Sequence, residues 1–276
     1  MKNILLAAVL CIMGLSVQAQ SSCCIKATDE FASLGKNKDF RMVHDEPLPF
    51  TYKSAKGKDI TYKTPDGTTA HAFEIKADNE TPYYMFVIHE WWGLNDYVKQ
   101  ESEKLSNDLG VNVIALDLYD NKVTANRDEA GKLMQSVSNE RAMSIIKGAY
   151  EYAGSSAKVF THGWCFGGGW SLQTALAGGK QVLGCVMYYG MPEKDVNRLK
   201  TLQCDVIGFF AKKDKGITPE VVNTFEQNMK AADKKVTVYE YDAEHAFANP
   251  SNPAFNKEAK EDAYAKELAF LKARMK

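Results

Sequence analysis

The chain predicts an α/β domain, a mostly parallel, doubly wound sheet with an N-terminal antiparallel hairpin. Three observations carry that expectation. Short, continuous apolar runs recur between residues 83 and 241, as they do in strands covered on both faces. Segments with helical periodicity separate these runs, as βαβ units require. Ahead of them, two stretches alternate apolar and polar residues around Pro65-Asp66-Gly67, a hairpin signature.

In order, residues 51–62 and 68–75 are the hairpin arms. Residues 83–89 (YYMFVIH) are the first buried strand. Residues 97–109 follow as a helix that Gly110 ends as a C-cap. Residues 111–118 (VNVIALDL) are another buried strand, and a polar loop leads from it to a helix over about 139–152, ended by Gly154. Residues 157–161 read as a strand, 167–176 as a helix, and 182–189 and 206–211 as strands. A helix at 219–232, a strand at 235–241 and a closing helix at 257–275 complete the pattern. With no internal repeat, low-complexity tract or long linker, residues 51–276 form one domain, and 20–50 form a polar arm lying over it.

The N-terminus has a separate character. Lys2 precedes an apolar stretch over residues 4–17, and Val17-Gln18-Ala19 offers small side chains where a signal peptidase reads. Residues 1–19 are therefore expected to be a removable export signal, giving a periplasmic or extracellular protein. The run is too short for a stable membrane span. Cys11 would leave with it, and five cysteines remain of the six. Five cannot all pair within one chain, so at least one thiol is expected to be held free for a reason. The role of Cys23 and Cys24 is not set by the sequence, although Gln20-Ser21-Ser22 lacks the run expected before a lipidated cysteine.

Composition excludes several classes. The 276 residues suffice for one large core. Lys plus Arg total 34 against 35 for Asp plus Glu, which leaves no basic excess for nucleic acid or anionic lipid. No C-x-x-C pair or Cys/His cluster with zinc spacing appears, so no metal site is expected.

The chemistry concentrates in Gly163-Trp164-Cys165-Phe166-Gly167, a G-x-C-x-G segment at a strand end that opens a helix. A nucleophile held in a sharp strand-to-helix turn needs glycine two residues before and two after it, because a Cβ there would collide with the neighbouring helix or strand. The turn lifts Cys165 above the carboxyl edge of the sheet, and the helix N-terminus favours its thiolate. This is the nucleophile elbow of the α/β-hydrolase fold with cysteine in place of serine. An acid and a histidine should follow, each after a later strand. Asp214 follows residues 206–211, with Asp205 and Asp242 as competitors. His245 follows residues 235–241 and alone of the five histidines lies beyond the elbow. The backbone amides of Trp91 and Phe166 are the expected oxyanion hole. Glu90 is unusual there, since a carboxylate near a thiol disfavours the thiolate and can accept its proton. His89 and His162 read as core or supporting residues.

The segments H-E-W-W-G-L-N (89–95), A-L-D-L-Y (115–119), G-W-C-F-G-G-G (163–169) and E-H-A-F (244–247), with Asp214, together resemble the dienelactone hydrolase family over about residues 60–271. The resemblance implies a Cys165, Asp214, His245 triad with Glu90 as a gate. The resting thiol would bond to Glu90 until substrate displaces the carboxylate. Founding members carry an arginine four residues past the catalytic histidine, and this chain has Asn249. A neutral amide does not replace a guanidinium fork on a carboxylate, which argues against a dienelactone substrate. Trp92, Trp164, Phe247 and Asn249 are the expected substrate contacts. The expected activity is cofactor-free cleavage of a small ester or lactone through a thioester on Cys165. Rival readings are an exported esterase or peptidase acting on glycan-linked esters or peptides, and a non-catalytic binding protein. Nothing in the pattern sets an oligomeric state.

Overall fold

The computed structural model describes residues 27–275. The expected export signal, Cys11, Cys23 and Cys24 lie outside the described residues. Eight strands form one sheet, β1 (Lys58–Lys63), β2 (Thr69–Ile75), β3 (Tyr83–Ile88), β4 (Asn112–Leu116), β5 (Lys158–Trp164), β6 (Val182–Tyr188), β7 (Asp205–Ala211) and β8 (Val236–Tyr241). Their spatial order is β1-β2-β4-β3-β5-β6-β7-β8. β2 runs antiparallel to both β1 and β4, and every other pairing is parallel. The expected mostly parallel sheet with an N-terminal hairpin is the one observed. β3 and β5, the two strands that lead into the chemical motifs, lie side by side near its centre.

The helices among the described residues are α1 (Ala27–Leu34), α2 (Lys38–Met42), α3 (Asp96–Leu109), α4 (Arg127–Ser136), α5 (Asn139–Ala153), α6 (Phe166–Gly178), the single turn α7 (Val196–Leu199), α8 (Pro219–Ala231) and α9 (Lys257–Lys272). α3 ends where its sequence says, with Gly110 at φ 66°, because that left-handed position carries no penalty for glycine. α5 starts at Ser138, whose side chain accepts from the Arg141 amide.

Three local differences from the sequence pattern have physical causes. Residues 51–57 do not join β1, because the Ser54 hydroxyl accepts from the Lys56 and Gly57 amides and turns the chain. β5 continues past residue 161 to Trp164, so no loop separates the strand from the elbow. The expected polar loop before α5 contains α4, in which only Ala130, Gly131 and Met134 are buried. An apolar stripe that thin, with a glycine inside it, gives almost no periodic signal.

A buried polar network ties part of the core together. Glu267 of α9 is fully buried and accepts from His162 Nδ1 at 2.8 Å and from the Tyr188 hydroxyl at 2.7 Å. It ties α9 to β5 and β6 beneath the carboxyl edge of the sheet. Glu267→Ala leaves two buried donors unpaired and opens a cavity, and the expected loss is about 3–5 kcal/mol. Urea unfolding measures it, and a change below about 1 kcal/mol would show that the network carries no stability.

Candidate active site

The elbow forms as the glycine spacing requires. Cys165 sits between β5 and α6 at φ 55°, ψ −118°, a region that residues with a Cβ seldom enter. Its amide donates to the Tyr188 carbonyl at 2.9 Å. A Cβ on Gly163 would lie 2.1 Å from the Gly167 carbonyl oxygen, and one on Gly167 would lie 2.2 Å from that of Ile88. The first contact closes the turn. The second presses the start of α6 against the end of β3, which brings residues 89–92 beside the sulfur. The Phe166 amide is directed at the sulfur.

Two loops deliver the partners. Asp214 follows β7, and its Oδ1 accepts from the Gly216 and Ile217 amides at 2.8 and 2.9 Å. Its Oδ2 accepts from His245 Nδ1 at 2.5 Å. One oxygen therefore fixes the loop while the other fixes the imidazole tautomer, leaving Nε2 3.2 Å from Cys165 Sγ. The competing aspartates are elsewhere. Asp205 lies at the opposite end of β7 and pairs with Arg274 at 2.5 Å, and Asp242 pairs with Lys213 at 3.0 Å on the surface.

All three groups are buried, and burial sets their protonation. It pushes the Cys165 thiol up against the opposing pull of His245, with Glu90 adding to the rise. Burial disfavours the charged imidazole, yet Asp214 and Cys165 together hold the His245 pKa well above its ordinary value. Asp214 stays below the usual carboxylate range because His245 and two amides outweigh its burial.

The structure adds a residue that the sequence did not single out. His44, just past α2, places Nε2 3.4 Å from Cys165 Sγ. Its Nδ1 donates to the Phe40 carbonyl at 2.9 Å, and its ring stacks on Trp91 with centroids 4.4 Å apart. Burial and the neighbouring His245 push its pKa down to about 3. The arm holding it is tied down by the Asn252 amide donating to the Val43 carbonyl at 2.9 Å and by Arg127 of α4 donating to the His44 carbonyl at 2.8 Å. Phe40 packs on both Trp91 and His245. His44 is 121 residues from Cys165 in the chain, so no spacing signal marks it.

The remaining expected residues spread around this cluster. Glu90 is buried and interacts with the Asn249 side chain, and burial lifts its carboxyl to about 7 against the opposing effect of His245. It acts on the thiol through charge, while the hydrogen-bonding partners described for the sulfur are the two imidazoles and the Phe166 amide. Glu90, Trp164 and Asn249 line a small open cleft, of about 20 Å³, with Tyr97, Val98 and Glu101. Trp92 and Phe247 are buried in the surrounding core. His89 is a supporting residue. Its Nδ1 donates to the Glu90 carbonyl at 2.8 Å and its Nε2 accepts from the Leu118 amide at 3.1 Å, which holds the backbone before Trp91.

Comparison with known proteins gives the chain's family and fold. The sequence profile of the dienelactone hydrolase family matches residues 71–275. The carboxymethylenebutenolidase of a Pseudomonas species is 28% identical over 221 residues, covering 74% of this chain and 89% of that one. Carboxymethylenebutenolidase 1 of Cupriavidus pinatubonensis is 24% identical over 230 residues, covering 78% and 95%. Among solved structures, a dienelactone hydrolase-like promiscuous phosphotriesterase from metagenomic libraries superposes with a TM-score of 0.70 at 16% identity, covering 80% of this chain and all of the other, a likeness of fold.

The position of Glu90 has a measurable consequence for stability. A carboxyl with its pKa raised by folding binds its proton more tightly in the native state than in the unfolded chain. Native stability therefore falls as pH rises from about 4.5 to about 7, by roughly 3 kcal/mol in total. Glu90→Gln cannot lose a proton. Its stability relative to wild type should improve between pH 5 and pH 8 by up to that amount in urea unfolding, and an unchanged difference would place the carboxyl's titration elsewhere.

Proposed function

The chain belongs to the dienelactone hydrolase family, and we propose on that premise that it cleaves a small ester or lactone through a thioester on Cys165. The observation that carries this reading is the line of contacts Asp214–His245–Cys165, at 2.5 and 3.2 Å, assembled from the strand-to-helix elbow and two loops at the carboxyl edge of the sheet. Sulfur is the nucleophile, imidazole the proton carrier, and carboxylate the group that orients it.

The steps follow from those positions. The Cys165 thiol passes its proton to His245 Nε2, its sulfur attacks the substrate carbonyl carbon, and the carbonyl electron pair moves onto oxygen. The Trp91 and Phe166 amides stabilise that oxyanion. Collapse expels the alcohol oxygen, which takes the proton from His245 Nε2. Water then attacks the thioester and gives its proton to His245, and the C–S bond breaks to release acid and restore the thiolate–imidazolium pair. Asp214 keeps Nδ1 protonated throughout. Glu90 opposes the charged sulfur while its carboxylate remains near, which supports a gating role even though Asn249 is its side-chain partner.

Two features narrow the substrate. Asn249 offers an amide in place of the family's guanidinium, so an ester or lactone without a free carboxylate fits better. The thiol has no exposed surface, so substrate must shift the arm that carries Phe40 and His44. We read residues 1–19 as an export signal, placing the reaction outside the cytoplasm.

Cys165→Ala should lower kcat/KM for short aryl esters by at least about 10³-fold with the fold intact. Asp214→Asn should lower kcat by roughly 10³–10⁴-fold with little change in KM, since it allows the wrong tautomer of His245. Steady-state kinetics on purified variants decides the matter, and undiminished turnover by Cys165→Ala would remove the covalent mechanism.

A further inference from the structure

We propose that His44, Cys165 and His245 form a binding site for a thiophilic d¹⁰ cation, zinc(II), which holds the nucleophile in an inactive, protected state. The site is independent of whether the chain hydrolyses esters. The proposed activity only determines what the metal would switch off.

The geometry is that of a ligand set. Sγ of Cys165 and Nε2 of both histidines converge, all three atoms lying within 4.8 Å of one another. The sulfur is 3.4 Å from His44 Nε2 and 3.2 Å from His245 Nε2. A tetrahedral zinc with bonds of about 2.0–2.1 Å to nitrogen and about 2.3 Å to sulfur has N···S edges of roughly 3.5 Å. The two observed edges need only a few tenths of an ångström of adjustment.

The tautomers give the second argument. Nδ1 of His44 carries a proton because the Phe40 carbonyl accepts from it, and Nδ1 of His245 donates to Asp214. The Nε2 atom of each ring is therefore the one turned toward the sulfur. A cation among the three atoms would bond all of them at once.

The surroundings complete a metal shell. Ligating imidazoles ordinarily donate the other N–H to a carboxylate or a backbone carbonyl, which fixes the tautomer and sharpens the ligand. Asp214 and the Phe40 carbonyl are one of each. One thiolate and two imidazoles suit zinc and exclude hard, oxygen-seeking ions such as magnesium or calcium. His44 precedes residue 71, where the family match begins, so the third ligand belongs to this chain's arm. Because the arm also closes over the sulfur, a bound ion would clamp it in place.

Binding forms one Zn–S and two Zn–N bonds and releases to solvent the protons that the sulfur and the Nε2 atoms held, with no oxidation or reduction. The sulfur pair that would attack a carbonyl, or be taken by an oxidant, is then engaged by the metal.

The test uses the full chain after chelator treatment. Zinc should bind in a 1:1 ratio by competition with a chromophoric chelator, releasing protons as it binds. Cobalt(II) in its place should give a thiolate-to-metal charge-transfer band that Cys165→Ser abolishes. His44→Gln should weaken zinc at least about 100-fold at unchanged thermal midpoint. Absence of 1:1 binding tighter than about 10 μM by the wild-type chain overturns the proposal without any variant, as does a cobalt spectrum lacking the band or full affinity in His44→Gln. Ester hydrolysis is assayed in parallel on the metal-free chain. Hydrolysis without zinc binding refutes the metal site alone, whereas zinc binding without hydrolysis refutes the hydrolase reading and leaves the site standing.

Discussion

The position of one sulfur atom, held by a backbone that two glycines make possible, governs everything around it. Cys165 occupies a strained φ/ψ region that costs of order 1–3 kcal/mol and persists only where the surroundings over-determine it. Here they do. The amide of Cys165 is bound to β6, Gly163 lies against the Gly167 carbonyl, and Gly167 lies against the end of β3. Because β5 runs without interruption into the turn, the sulfur inherits the rigidity of the sheet centre. The His245 loop and the arm are then built against a fixed point.

Burial at that point makes protonation a shared property of the cluster. An isolated buried charge would be expensive, so charge exists here only in pairs. Asp214 is ionised because His245 and two amides compensate it, and His245 accepts a proton readily because Asp214 lies behind it. The two Asp214 oxygens divide the labour, since loop position and imidazole tautomer are set by the same side chain. Glu90, lifted by its own burial, adds a charge that rises with pH and works against a thiolate.

The sheet and the elbow were legible in the sequence because each depends on local pattern. Apolar runs betray covered strands wherever they fall, and glycines at a two-residue spacing on either side of Cys165 betray a turn that only they permit. The order of Asp214 and His245 after the elbow was legible too, because topology requires each loop to return to the same edge of the sheet. α4 and the arm helices were not. Their buried faces are a few residues wide, and their stability comes from docking, through contacts such as Arg127 on the His44 carbonyl and Phe40 on Trp91. His44 was illegible for a further reason. It reaches Cys165 across 121 residues, from a segment whose composition resembles a surface tail.

The arm therefore changes what the cluster can be. Without it, the sulfur would face a single imidazole, and the elbow, His245 and Asp214 would make a nucleophile open to the solvent edge of the sheet. With it, a second imidazole of fixed tautomer meets the same sulfur, stacked on Trp91 and walled by Phe40. A cation bound among the three atoms would hold the arm closed, whereas a substrate needs the arm to move, since the thiol has no exposed surface while the arm is docked. Access to the sulfur and stability of the closed arm are thus opposed through one side chain, and whatever strengthens the contact between His44 and the sulfur should slow the proposed reaction.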